Sequence, residues 1–172
     1  MMNAAKELLT FIENSPSMFH SIETIKGMLD EAGFTYLPER TCWDVKQGGT
    51  YYTIRNHSAV IAFTVPEASS DVFHIIASHS DSPSLKIKEN PEMVENGYVK
   101  LNVELYGGAL LAPWFDRPLS VAGRVIVKEN GQICEKLVTV DKDMLRIPNL
   151  AIHMNREATS GYKYNVQKDL LP

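Results

Sequence analysis

The sequence predicts an α/β chain that changes class part-way. A helix-and-strand layer runs to about residue 85, and an antiparallel, β-rich segment that forms a sheet or small barrel follows it. Two early stretches carry apolar residues at three- and four-residue spacing, the signature of helices with one buried face. Three short β-branched and aromatic runs follow between residues 51 and 76. Beyond residue 98 the pattern becomes strict apolar/polar alternation, which belongs to strands with one wet face.

Leu8, Leu9, Phe11 and Ile12 fall largely on one face of a first helix, which Asn14-Ser15-Pro16 breaks. A second helix starts at Ser17, buries Phe19, Ile22, Ile25, Met28 and Leu29, and reaches Gly33 where a left-handed cap belongs. Strands are predicted at 51–55, 59–65 and 72–76. The last two are so evenly apolar that helices are expected on both their faces. Residues 82–96 are charged and punctuated by Pro83 and Pro91, as a crossing between domains often is. Val99, Leu101, Val103 and Leu105 then alternate with Lys100, Asn102 and Glu104. Asn130-Gly131 joins two further strands, 121–127 and 133–140, and Asn-Gly is the strongest short hairpin signal.

Composition excludes several functions. Net charge is −4 and no basic block is present, so nucleic acid is not expected as a partner. Every apolar run is shorter than the roughly 18 to 20 residues that span a bilayer, so no membrane role is expected. Cys42 and Cys134 form no CxxC pair and read as incidental thiols of a reduced, cytoplasmic protein.

The chemistry concentrates at Ala77-Ser78-His79-Ser80-Asp81-Ser82-Pro83, directly after the apolar run. In an extended segment residues two apart point to the same side. Asp81 can therefore accept the N–H of the His79 ring while the other ring nitrogen faces a cation, as orienting carboxylates do beside metal-bound histidines. A histidine satisfied by its neighbouring carboxylate fits the same spacing. His74, inside the predicted strand, reads as a packed or hydrogen-bonded structural residue, and His20 and His57 read as surface residues. Tyr106-Gly107-Gly108 and Trp114-Phe115-Asp116-Arg117 fit a pocket wall, or equally a glycine turn with an aromatic staple and a local ion pair. A serine hydrolase using Ser80 or Ser82 would need a Gly-x-Ser-x-Gly elbow, which the sequence lacks.

Taken together, several motifs carry a resemblance. They are His79-Ser80-Asp81-Ser82-Pro83, Val103-Glu104-Leu105-Tyr106-Gly107-Gly108, Trp114-Phe115-Asp116-Arg117 with Leu119, Ala122-Gly123-Arg124-Val125, and Ile147-Pro148-Asn149-Leu150-Ala151-Ile152-His153. In this order and approximate spacing the chain resembles the aspartyl aminopeptidase family of dinuclear zinc exopeptidases. Ser15-Pro16-Ser17-Met18-Phe19-His20 and Ala32-Gly33-Phe34 are similar to that family's N-terminal helices.

The resemblance implies an αβα zinc-exopeptidase catalytic domain, here in part over residues 1–85. Residues 86–172 would then be part of an inserted β-rich, antiparallel, barrel-like dimerisation domain. It implies two zinc ions, a peptide substrate with an acidic or neutral N-terminal residue, and a homo-oligomer built from dimers. His79 matches the first zinc ligand and Asp81 the acid that clamps it. His153 matches a histidine that enters the partner subunit's active site, to contact substrate or stabilise the oxyanion. Asn149 stands where some members carry another histidine. The family's bridging aspartate, base glutamate and remaining ligands are expected outside residues 1–172, and Asp116 belongs to a different motif. The isolated chain is therefore expected to bind zinc weakly and to be inactive alone. The alternative is a non-catalytic assembly or peptide-binding module derived from that family.

Overall fold

A computed structural model describes residues 2–69 and 71–172. The elements are mixed: helices α1 (Met2–Glu13), α2 (Met18–Glu31) and α3 (Val166–Asp169), and strands β1 (Thr35–Tyr36), β2 (Thr50–Arg55), β3 (Ala59–Thr64), β4 (Ser84–Glu95), β5 (Tyr98–Tyr106), β6 (Ala122–Glu129) and β7 (Gln132–Thr139). They group into two compact units. One holds the residues up to Asp81 together with Ala122–Thr139, the other Ser82–Val121 with Val140–Pro172.

In the first unit α2 is set at both ends by local chemistry. Ser17 is the N-cap, its hydroxyl facing the His20 amide. At the other end the Phe34 N–H donates to Leu29 O at 2.9 Å and the Gly33 N–H to Asp30 O at 3.0 Å. With Gly33 at φ +79°, that pair of bonds is a Schellman cap. Ile22 then lies buried against Tyr52 and Ile54 of β2, with Ile25, Leu29, Phe34 and Val60 around them. β2 is the centre of a three-stranded sheet, parallel to β1 and antiparallel to β3. Stacking of Tyr51 and Trp43 on Phe63 adds aromatic packing to the β2–β3 pair.

Two expectations fail here. β3 is not covered on both faces, since Ile61 remains 66% exposed. The run 72–76 joins no β-ladder, and Ile75 and Ile76 are 84% and 100% exposed. A strand needs a neighbour offering a run of N–H and C=O groups in register, and among the described residues no such ladder is formed there. His74, on the same run, is accordingly exposed rather than packed.

β6 and β7 form the expected hairpin, closed by Asn130 at φ 50° and Gly131 at φ 83°. Two positive φ values match the twist of the flanking strands.

The second unit begins at Ser82, and the charged segment that follows holds a strand: Ser84–Glu95 is β4, antiparallel to β5. The stretch joins a ladder because its proline is accommodated by a bulge. The register shifts between Ile87 and Glu92, which takes Pro91 out of the ladder where its missing N–H would break a bond. Val103 of β5 is buried, and the Gln167 side-chain amide of α3 donates to its carbonyl at 3.1 Å. Leu170, just past α3, is also fully buried. The described strands form open ladders and no closed sheet.

Candidate metal-ligand site

His79 lies in the segment after residue 71, outside any helix or strand, with Ser80 tethered by a 3.4 Å hydrogen bond from its hydroxyl to Ser58 O in the β2–β3 turn. The His79 ring turns back on Asp81. Its Nδ1 lies 3.0 Å from Asp81 Oδ1 and 2.8 Å from the Asp81 backbone oxygen. A carbonyl oxygen only accepts, so Nδ1 carries the proton and shares it between the two oxygens. The lone pair is then on Nε2. That is the tautomer in which a histidine ligates a metal while a carboxylate holds its other nitrogen. The imidazole is 80% exposed and the Asp81 side chain 32%, so solvent and ions reach Nε2 without a conformational change.

His153 belongs to the second unit, exposed on a turn. The Ala151 carbonyl closes that turn, accepting from the N–H groups of Met154 at 2.8 Å and Asn155 at 3.1 Å. The segment after it continues as turns, and the next helix is the single turn of α3. The structure thus brings His79 and Asp81 together and carries His153 on a separate, locally ordered loop.

Trp114, Phe115 and Asp116 stand at the end of a short 3₁₀ turn, Ala112–Trp114. Phe115 stacks on Tyr164 at 5.1 Å, in keeping with an aromatic staple. The carboxylate of Asp116, however, accepts from the Asn149 N–H at 3.0 Å, a longer-range link than the local ion pair that its Arg117 neighbour suggested.

His20 is the histidine that sequence reasoning misjudged. It is partly buried, with Nδ1 2.7 Å from the Ser17 hydroxyl and Nε2 3.0 Å from that of Thr139. Burial lowers its pKa below 6.5. The Ser17 contact was legible as a cap three residues upstream, whereas Thr139 is 119 residues away in sequence.

A cleft of about 360 Å³ lies elsewhere in the first unit, lined by Glu23, Lys26, Tyr36, Glu39, Ile54, Asn56 and His57. It includes neither His79 nor Asp81. Being open and mixed in charge, it offers no convergent chemistry, and we attach none to it. Among the described residues no three His, Cys, Asp or Glu side chains converge as a metal centre requires. One imidazole with its acid fits one corner of a zinc site and falls short of the three or four ligands that zinc takes. No reaction step through a metal follows from these residues alone. No helix among the described residues is long and apolar enough to cross a membrane.

Residues 11–172 match the model of the aminopeptidase I zinc metalloprotease (M18) family. The chain belongs to the M18 family. It is 51% identical over 173 residues to a probable M18 family aminopeptidase 2 of Clostridium acetobutylicum, an alignment covering 98% of this chain and 40% of that protein. Among solved structures, the Ape4 and Nbr1 complex seen by electron cryomicroscopy superposes with TM-score 0.93 at 37% identity, covering 98% of this chain and 33% of that one. The mApe1 dodecamer of Saccharomyces cerevisiae gives TM-score 0.76 at 31% identity over 87% of this chain and 36% of that one. The M18 chain therefore spans about two fifths of the length of this curated relative. With the three small sheets, these superpositions establish a mixed α/β member of that structural group.

Proposed function

We propose that this chain supplies the N-terminal part of a zinc-dependent metallo-aminopeptidase that releases N-terminal residues, acidic or in some cases neutral, from peptides. The observation that carries the reading is the His79–Asp81 pair, with Nδ1 3.0 Å from Asp81 Oδ1 on an imidazole that is 80% exposed. Family membership supports the same chemistry. In this reading residues 1–85 are part of an αβα catalytic domain and residues 86–172 part of an inserted, barrel-like dimerisation domain. Two zinc ions would complete the centre, and His79 would hold one of them through Nε2. Bound zinc lowers the pKa of a water and polarises the scissile carbonyl.

This chain's own residues do the positioning. Asp81 keeps the His79 proton on Nδ1 and so fixes the direction of the Nε2 lone pair. His153, exposed on its turn, is suited to donate a hydrogen bond to the substrate or its oxyanion in a partner subunit. A homo-oligomer built from dimers accords with the dodecamer described for the yeast relative. A cytoplasmic location accords with two unpaired cysteines, Cys42 and Cys134.

Two preparations test the proposal: residues 1–172 alone, and the same residues fused to the part of the Clostridium acetobutylicum relative that lies beyond the aligned region. The fusion should release N-terminal aspartate or leucine only with zinc, and His79→Ala should abolish release. The isolated chain should release neither. Zinc-dependent release by the isolated chain, or an active His79→Ala fusion, would refute the reading.

A further inference from the structure

We propose that Asp116 is a positioning residue whose carboxylate clamps residues 147–150 and thereby holds the turn that presents His153. The proposal rests on the reading of His153 as a residue that acts on substrate.

Asp116 adopts φ +57°, the left-handed region that an aspartate enters at a cost and a glycine enters freely. A non-glycine residue kept there has a use for its side chain, and the structure shows the use. Oδ1 accepts from the Asn149 N–H at 3.0 Å while the Asp116 N–H donates to Ile147 O at 2.9 Å. One residue thus grips the chain on both sides of Pro148, which has no N–H of its own to offer.

The grip has a firm base. Ile147 is 0% exposed and pairs with Phe115 in an isolated bridge, and Leu145 bridges Leu119 two residues earlier. From Asn149 the order passes outward. Its Oδ1 accepts from the Leu150 N–H at 3.0 Å, and the Ala151 carbonyl then closes the turn through Met154 and Asn155. His153 lies inside that closed turn, four residues from the clamped amide.

Amide exchange and ¹⁵N relaxation on the 172-residue chain test the clamp. Asp116→Gly removes the carboxylate and also relieves the positive φ, so a residue kept only for its backbone shape would be matched or improved by glycine. We expect exchange at Asn149 to quicken by about tenfold or more and motion to rise over residues 149–154, with β4 and β5 unchanged. Asp116→Asn, which keeps an acceptor oxygen and tolerates the same φ, should restore slow exchange. Unchanged exchange in Asp116→Gly, or an equal rise of motion in β4 and β5, overturns the clamp.

The catalytic consequence is read in the fused enzyme. Asp116→Gly should lower kcat about tenfold with KM unchanged, and should add little to the loss in His153→Ala. A His153→Ala enzyme with full kcat refutes the role read for His153, and with it the catalytic half of this proposal. A loss in His153→Ala with none in Asp116→Gly overturns the proposal while leaving that role intact.

Discussion

The guanidinium of Arg124 lies 4.2 Å from the ring centroid of Phe19, joining strand β6 to the first turn of α2. Its Nη1 also donates to the Asn56 backbone oxygen at 3.0 Å and to Glu135 at 3.1 Å, so one side chain ties a helix, the β2–β3 turn and a hairpin together. Only 17% of that side chain is exposed, which makes its charge interactions stronger than a surface pair's. Arg124→Ala should cost about 2 kcal/mol, the sum of a half-buried cation–π contact and a charged hydrogen bond. Arg124→Lys should recover less than half, because an ammonium cannot lie flat on the ring and reach two acceptors. Urea midpoints of the three proteins check both statements; equal stability of Arg124→Ala and the parent would show the contact idle.

His20 makes the fold sensitive to acid. Burial lowers its folded-state pKa below the 6.5 of the free side chain. Between those two values the unfolded chain binds more protons than the folded one. The stability contributed by the neutral ring is therefore complete above pH 6.5 and is lost as pH falls through the lowered folded pKa. Urea midpoints of the parent and of His20→Gln, taken at about pH 7.5 and about pH 5, should show a steeper fall for the parent.

Tyr52 titrates in the opposite sense. Its hydroxyl donates to Asp30 at 2.6 Å, and burial together with that carboxylate pushes the phenol up to about 12. The neutral phenol stabilises the fold below pH 10, and the contribution disappears as pH rises from there towards 12. In an ultraviolet titration one of the seven tyrosines should ionise well after most of the others, and Tyr52→Phe should remove that late step. The same variant should lose about 1–2 kcal/mol.

Gly131 has open space around the position of a Cβ, so substitution there strains the backbone and nothing else. With φ at 83°, Gly131→Ala should cost about 1 kcal/mol and lower the thermal midpoint by roughly 3 °C. An unchanged midpoint would mean that the hairpin turn contributes nothing to stability.

Metal has little to hold in this chain alone. A ligand stabilises a fold only as far as it binds it, and no three-ligand cluster exists among the described residues. Zinc or EDTA should therefore move the thermal midpoint of residues 1–172 by less than about 1 °C. A large zinc-dependent rise that survives in His79→Ala would reveal a different site.

The parts of the fold legible in the sequence are those built from near neighbours. Ser17 and Gly33 announced the ends of α2, and Asn130-Gly131 announced its hairpin. Asn96-Gly97, with φ values of 51° and 81°, carries the same signal and closes β4 onto β5. The strand it closes was not read from the sequence, because charge and proline interrupt the apolar alternation of β4. The His79–Asp81 contact was legible because its partners stand only two places apart in the chain.

By itself, then, the sequence determined the caps, the tight turns, the orienting pair at His79 and the family to which the chain belongs. Only the tertiary structure decided that Pro91 sits beside a bulge, that Phe19 carries Arg124, that His20 meets Thr139 and that Asp116 holds Asn149. It also decided that the apolar run 72–76 stays outside the ladders formed among the described residues. The physical reason is range. Backbone torsions and capping bonds answer to residues three or four places away, whereas ladders and cross-chain side-chain bonds depend on which distant segment arrives opposite, and local composition does not encode that.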